Sequence, residues 1–451
     1  NENGVFKNVF VDRINKTWGL SASIADFNND DWLDIYVCND YLEPDHLFIN
    51  NKNGGFNDSI LSLMDHISFY SMGSDVADIN NDGELDLIVL DMVSPDHVRS
   101  KRNMASMNPD NFNNMVSVGY HHQYMSNALQ LNRNNNGFSE IAQYAGVSKT
   151  DWSWASLLAD FNNDGYRDLY ITNGVLKDVT DKDIQRNLNK KQAQGIEMTL
   201  DEVLKTIPSE KLNNHMYSNL KNTRFSNKTI EWGLDHKSFS NGAAYGDLDN
   251  DGDLDLVVNN MAHEAFVYRN NSSNNYINIK LEGSEKNRLG LGSVLEVYTS
   301  DNYQYYQHFL NRGFISSMSP KINFGIGSSK EIDSLKITWD NGKIQLLKGV
   351  EINKTITLNI KGAEISTSTT IAKKNLISKT KNQDLLNYNH AESDYNDFEK
   401  EILLPQKMST QGPQSCVGDV NGDGLEDLFI TGAKGYAAAL FLQKKDESFT
   451  R

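Results

Sequence analysis

Residues 247–255 read Asp247-Leu248-Asp249-Asn250-Asp251-Gly252-Asp253-Leu254-Asp255 and run directly into the apolar stretch LVVNN. Side-chain oxygens stand at positions 1, 3, 5 and 9, a glycine at 6, and a strand-forming segment follows. The pattern occurs four more times. The first two copies are Asp26-Phe-Asn28-Asn-Asp30-Asp31-Trp32-Leu-Asp34 and Asp78-Ile-Asn80-Asn-Asp82-Gly83-Glu84-Leu-Asp86. Asp160-Phe-Asn162-Asn-Asp164-Gly165-Tyr166-Arg-Asp168 and Asp419-Val-Asn421-Gly-Asp423-Gly424-Leu425-Glu-Asp427 complete the set. IYVCN, LIVLD, LYITN and LFITG follow them. A repeat of this kind sets the fold before any single element does.

A hard cation such as calcium takes roughly six to eight oxygens at about 2.3–2.6 Å. Carboxylates and amides at positions 1, 3, 5 and 9 converge on one point if the chain turns tightly. Position 7 (Trp32, Glu84, Tyr166, Asp253, Leu425) can add its backbone carbonyl. Position 6 must then be left-handed, which accounts for Gly83, Gly165, Gly252 and Gly424. Asp31 departs from that rule, so loop one is expected to be the most strained or the weakest. An EF-hand needs a bidentate Glu at position 12 and flanking helices; here Asp closes the loop at 9 and strands flank it. Asp, Asn and Gly also simply make good turns, but five copies with ligand types at the same four positions weigh against that reading. Up to five structural calcium sites are expected, loop four tightest because it is the most acidic. The four loops with Asn at position 3 should be weaker, in a range suited to the outside of a cell.

The nonapeptide belongs to a longer unit. Its other half reads His46-LFINNKNGGF, Ala128-LQLNRNNNGF and His215-MYSNLKNTRF: a strand, a polar turn, then an aromatic residue. About four short strands per unit is the composition of a β-propeller blade, and the fold class is all-β. The chain opens on NENGVF, the tail of such a half-unit, and closes soon after a fresh loop, as though cut from a longer protein. The organisation expected is 1–271 blades, 272–361 a further β-domain, 362–400 a linker and 401–451 the start of a second propeller. Two insertions, about 93–127 and 175–214, interrupt the rhythm. The second reads as helical over Asp183–Gln194, and again after the capping box Thr199–Glu202, stopping near Pro208. Both insertions follow the strand after a loop, which puts them on one side.

Composition limits the function classes. A chain of 451 residues exceeds one compact core. Sixty acidic against 43 basic residues give −17, which repels nucleic-acid phosphate, and no basic block offsets it. Five calcium ions would return +10 of that charge. No apolar run approaches the 18 residues of a membrane-spanning helix. Cys38 and Cys416 are too few and too isolated for a disulfide framework.

The repeat resembles the FG-GAP (VCBS-type) repeat of the integrin α-subunit propeller. The stretch from about Tyr276 to Ile360 resembles an ASPIC/UnbV domain. Asn287, Arg288, Gly290 and Gly292 match its N-R-x-G-x-G opening, and Gly313, Phe314 and Ser316 its G-[FY]-x-S segment. Phe324, Gly325 and Gly327 match its F-G-[IL]-G turn, and Trp339, Gly342 and Gln345 its W-x-x-G-x-x-Q hairpin; Asp340 stands where that family usually has Pro. DMVSPDHVRSKRNM, YHHQYMSNALQLN and VLKDVTDKD sharpen the likeness to large VCBS-repeat proteins of Bacteroidota. That resemblance implies a surface lipoprotein, anchored by a lipid outside this segment on the extracellular face of the outer membrane. It also implies SusC/SusD-type importers as partners, with a glycan or peptide as ligand.

Candidate chemistry outside the loops is sparse. His121 and His122 are adjacent, so on an extended segment they face opposite ways and suit one metal poorly. Trp152 and Trp154 alternate, so they should share a face; such a pair can stack on a sugar or peptide, though packing between blades is its commoner fate. Asp96, His97 and Arg99 form a polar cluster in sequence. No GxSxG, HExxH or Walker loop occurs. The reading favoured is a calcium-stabilised binding protein and not an enzyme. The alternatives are a propeller-fold glycan lyase or hydrolase and a calcium-dependent adhesin.

Overall fold

The computed structural model describes residues 18–103, 109–134, 137–365, 386–401, 404, 407–446 and 448–451. The opening NENGVF half-unit and the middle of the expected linker lie outside them. The chain divides into two compact units, Asn1–Thr367 and Ser368–Arg451.

Among the described residues, the first unit has four antiparallel meanders ahead of its second domain. The first is β1 (Trp18–Ala25), β2 (Asp34–Asp40), β3 (His46–Asn50) and β4 (Phe56–Asp58). A helical turn, α1 (Ile60–Leu63), and the short β5 (Ile67–Ser68) lead to β6 (Ser74–Ala77) and β7 (Asp86–Val89). The first insertion follows: α2 (His97–Asn103), α3 (Pro109–Ser117) and β8 (Gln123–Tyr124), which pairs parallel with β5. β9 (Ala128–Asn132) and β10 (Phe138–Glu140) complete the second meander. After α4 (Ala142–Ala145), the third starts with β11 (Ser153–Ala159) and β12 (Asp168–Asn173). The second insertion supplies α5 (Lys182–Ala193), α6 (Leu200–Thr206) and β13 (Leu212–Asn213) before β14 (His215–Asn219) and β15 (Phe225–Asn227) close the sheet. β16 (Lys237–Ser238) pairs with β13, and the fourth meander has three strands, β17 (Ser240–Gly246), β18 (Asp255–Asn260) and β19 (Phe266–Tyr268).

Each meander buries its faces against its neighbours. Tyr36 and Leu47 of the first pack with Leu87 and Val89 of the second. Ile88 and Leu129 of the second pack with Leu158 and Ile171 of the third, and Leu157 and Tyr170 of the third with Leu256 and Val258 of the fourth. Fully burying one such side chain is worth about 1.5–3 kcal/mol. β6, with neighbours on both sides, is wholly buried, whereas β1 exposes Trp18 and Ile24. Closure of the meanders into a ring is not seen among the described residues.

The second domain of this unit is a two-layer β structure. β20 (Asn275–Glu282) pairs antiparallel with β23 (Ile322–Gly327) and parallel with β26 (Thr355–Asn359). The facing sheet contains β21 (Val294–Tyr298), β22 (Tyr303–Gln307), β24 (Ile332–Thr338), β25 (Lys343–Val350) and β27 (Glu364–Ile365). Ile277, Ile279, Phe324, Leu335, Ile337 and Trp339 fill the core between the layers. The boundary expected at 361 moves: β27 pairs with β25, satisfying backbone groups on that edge, so the domain runs to 365. Asp340, at the position that departs from the family pattern, accepts a hydrogen bond from Asn287 Nδ2 at 2.9 Å. The second unit holds one further meander, β28 (Ser415–Gly418), β29 (Asp427–Ile430), β30 (Ala439–Gln443) and β31 (Phe449–Thr450).

The insertions are the helical part of the fold. α5 starts at Lys182 because the Asp181 carboxylate caps the N–H groups of Asp183 and Ile184. α6 carries the expected capping box, with Thr199 and Glu202 exchanging hydrogen bonds. The helices of the first insertion were not expected. Asp96, which accepts the Arg99 N–H at 2.7 Å, and Pro109 at the start of α3 were their local signals.

Candidate functional site

The five nonapeptides share one hydrogen-bonding scheme. The position-9 carboxylate joins the loop to its own sheet: one oxygen accepts the N–H of position 2, the other that of a residue just after or ending the third strand of the meander. Asp34 accepts Phe27 N–H (3.0 Å) and Asn50 N–H (2.8 Å), and Asp168 accepts Phe161 N–H (3.1 Å) and Asn219 N–H (3.0 Å). Asp86, Asp255 and Asp427 repeat the pattern. The position-1 carboxylate accepts the N–H groups of positions 5 and 6 in loops one, two, three and five. Position 6 is left-handed in every copy, Asp31 included at φ 68°.

Position 4 is left-handed as well, at Asn29, Asn81, Asn163 and Asn250 and at Gly422. Sequence reasoning passed over it, although Asn stands there in four copies and Gly in the fifth. Its side chain links one loop to the next: Asn81 Nδ2 donates to Gly165 O (2.9 Å), Asn163 Nδ2 to Gly252 O (3.2 Å) and Asn29 Nδ2 to Glu84 Oε2 (2.5 Å). A second ladder runs backward. Asn132, Asn219 and Asn270 donate to Phe27 O, Ile79 O and Phe161 O of the preceding loop. These asparagines recur with the repeat, and that periodicity was the available signal.

The β20–β27 domain covers the row of loops. Gln307 Oε1 accepts the Asp26 N–H (3.0 Å), Asn302 bonds Asn81 and Gly165 O, and Gly327 N–H donates to Asn163 O (2.8 Å). Gly325 lies so close to loop three that an added Cβ would fall 2.2 Å from Asn163 Cα. Burial under this cover pushes the carboxyls up, Asp78 to about 6 and Asp160 to about 7. Loop four differs. Asp247, Asp249 and Asp251 bring carboxylate oxygens within 4.8 Å of one another, and Asp247 Oδ1 is buried without a partner. Oxygen-only donors on a tight turn, Asp247, Asp249 and Asp251, are the donor type that a hard cation such as calcium would take.

Residues 308–319, which link β22 to β23, fill the line along which the first strands of the meanders meet. Gly313 bridges to Ser74, and Arg312 Nη1 donates to Asp75 Oδ1 and to Val76 O, both at 2.9 Å. The Arg312 guanidinium also lies 5.2 Å from the Tyr306 ring centroid. Met318 and Phe314 pack onto β17 and β11.

The two insertions meet over the third meander around Arg99. Its Nη1 and Nη2 form a paired contact with the Asp178 carboxylate (2.8 Å each), its Nε reaches Asp151 (2.8 Å), and Nη1 also reaches Glu210 (3.1 Å). Arg102 adds an ion pair to Asp181 at 2.5 Å. A cavity of about 440 Å³ opens beside this cluster, lined also by Asn103, Asn213, His215 and Lys237. Burial pushes His215 down to about 4, so the ring facing the cavity is neutral. The polar cluster expected from Asp96, His97 and Arg99 is therefore drawn differently: Asp96 caps α2, while Arg99 turns to the other insertion.

The expectation that His121 and His122 face opposite ways does not describe their rings, which meet edge to face with centroids 6.1 Å apart. His121 is buried with Nε2 3.1 Å from Met64 O, and His122 is exposed near Phe112. By alternation Trp152 and Trp154 are expected to share a face, and they do not. An irregularity between Ser153 and Ser156 breaks the alternation. Trp154 packs on Phe314 (centroids 5.0 Å apart) and donates to Gly174 O (2.7 Å), while Trp152 lines a smaller recess next to the Arg99 cavity.

Comparison with known proteins agrees with this architecture. The family described as FG-GAP-like repeat matches residues 26–89 and 107–171, and ASPIC and UnbV matches 283–365. Cartilage acidic protein 1 of Mus musculus is 22% identical over 340 residues, covering 73% of this chain and 43% of that protein. The Homo sapiens and Xenopus tropicalis proteins are 21% and 22% identical over the same length, with 42% of each covered. The chain thus spans less than half the length of these relatives. A solved Agrocybe aegerita lectin, described as recognising non-reducing terminal N-acetylglucosamine, aligns over 97% of this chain and 79% of its own at 13% identity. Its TM-score is 0.29, too low for a shared fold to be argued. The chain therefore carries FG-GAP-like repeats followed by an ASPIC and UnbV domain, and both point to an extracellular β-rich repeat protein.

Proposed function

We propose that this chain is part of a calcium-stabilised cell-surface binding protein. Its loops stiffen the meanders, and the cleft between the insertions grips a ligand or partner. The observation that carries the reading is the Arg99 cluster: three carboxylates from separate parts of the chain lock both insertions around one polar cavity. A cleft built on a rigid ion-pair network holds its shape before binding, which lowers the ordering cost of association. Its carboxylates are committed to Arg99 and the meander axis is filled by 308–319, so we favour binding over glycan lyase or hydrolase chemistry.

The finer reading is an accessory subunit of an outer-membrane SusC/SusD-type uptake complex, lipid-anchored on a Bacteroidota cell, with a glycan or peptide as cargo. A pull-down of the full-length protein from native outer membranes, in calcium, tests it. Stoichiometric recovery of a transporter pair, lost in an Asn213→Ala/Lys237→Ala variant, supports the reading. Recovery of the protein alone removes the importer role, and calcium-dependent attachment of intact cells to a matrix would then favour the adhesin. The calcium part stands separately. Calorimetric titration of chelated protein should show uptake that falls in Asp247→Ala and Asp251→Ala.

A further inference from the structure

The loops do not leave their carboxylates to water alone. In the first meander Lys52, just past β3, places Nζ 3.2 Å from Asp30 Oδ2, and in the third Lys221, just past β14, places Nζ 3.4 Å from Asp164 Oδ2. Loop four takes this furthest. Arg269, directly after β19, sets Nε 2.8 Å from Asp249 Oδ2 and Nη2 3.4 Å from Asp251 Oδ2. From the covering domain, Lys321 sets Nζ 3.1 Å from Asp247 Oδ2 and 3.0 Å from Asn250 Oδ1. Positions 1, 3 and 5 of the most acidic loop are thus each met by a cation of the chain itself. Even so, the balance is incomplete. Five carboxylates (Asp247, Asp249, Asp251, Asp253, Asp255) face two cations, and Asp247 Oδ1 and Asp253 Oδ1 are buried without partners. The Asp247 side chain is only 2% exposed.

We infer that Arg269 is a resident substitute for the metal at loop four: the guanidinium and calcium exclude each other, and Arg269 sets the affinity of the site. The inference rests on the calcium reading above. Its physical basis is shared lone pairs. Asp249 Oδ1 and Asp251 Oδ1 already accept the Asp251 and Asp253 N–H groups, so the Oδ2 atoms that accept from Arg269 are the ones left for a cation at about 2.3–2.6 Å, and a guanidinium held against them would also repel a divalent ion. Arg269 can leave readily, because its side chain is 68% exposed. Lys321, at 12% exposure, is held by the covering domain and stays. Loop four, expected from its acidity to bind tightest, is therefore weakened by the residue that keeps it in order without metal.

Calcium titration of the chelated full chain tests this, with the loop-four component identified as the heat lost in Asp247→Ala. An exposed ion pair is worth at most about 1 kcal/mol, so Arg269→Gln should tighten loop four about two- to fivefold, and more at low ionic strength. Arg269→Lys should stay near wild type. Unchanged or weaker binding in Arg269→Gln, with wild type still binding, overturns the inference and spares the calcium reading. If neither wild type nor variant takes up calcium at loop four, both fall together. Unchanged thermal unfolding of chelated Arg269→Gln would show that the variant folds.

Discussion

Loop three (160–168) and loop five (419–427) are written in the same nine-residue grammar and share the hydrogen bonds of positions 1 and 9, yet they are electrostatic opposites. Asp160 is wholly buried, and burial pushes its carboxyl up to about 7. Asp419 is exposed, and the Gly424 N–H holds its carboxyl below the usual range. The difference lies in what covers the loop. Gly325, Gln304 and Asn302 of the ASPIC and UnbV domain sit on loop three, whereas Asp419 and Asp423 face solvent. The turn is local, and its charge character comes from tertiary cover.

Substitutions on the covered and the exposed side test this contrast. The largest effect is expected from Asp75→Asn, which strands the Arg312 guanidinium that anchors 308–319. Removing one partner of a buried pair costs about 3–5 kcal/mol. Denaturant unfolding should show that loss in the first unit while the transition of the second stays in place; equal loss in both would break the comparison.

Acid should act on the same seat. His308, buried in the covering domain, is pushed down to about 4 by burial. The unfolded chain takes up its proton near 6.5, so the folded state is fully favoured above that pH and loses ground as pH falls from about 6.5 to about 4. The slope is about 1.4 kcal/mol per pH unit, about 3 kcal/mol in all. Unfolding at pH 7, 5 and 4 should be flatter in His308→Phe than in wild type; parallel curves would exclude His308 as the cause.

Gly325→Ala is a finer probe. Its Cβ must displace Asn163, at a typical overpacking cost of about 1–3 kcal/mol, and should lift the cover from loop three. The Asp160 carboxyl, followed by NMR, should then move down toward the exposed pattern of Asp419. A carboxyl that stays high would mean that the meanders alone bury it. The smallest effect is expected at loop five, where Asp419→Ala should leave the melting of the first unit untouched. Chelating calcium should lower the melting temperature of the first unit more than that of the second.

Much of this was legible in the sequence because it is local. The five loops, the strands after them and the capping box of α6 each depend on residues within a turn or a few positions. The left-handed residue at position 6 follows from the same short-range rules. The asparagines at position 4 and at the end of the third strand were visible as repeats, but their partners lie in the neighbouring meander, which spacing alone does not specify.

Which charges meet is set by packing between distant parts of the chain. Arg99 finds Asp178 across 79 residues, Arg312 finds Asp75 across 237, and Arg269 and Lys321 reach into the loop that the sequence marked as the strongest metal site. Backbone hydrogen bonds within a nine-residue turn are fixed by residue type and order. The partner and the dielectric of a charged side chain depend on which distant surface packs against it, and that is settled only when the domains are in place.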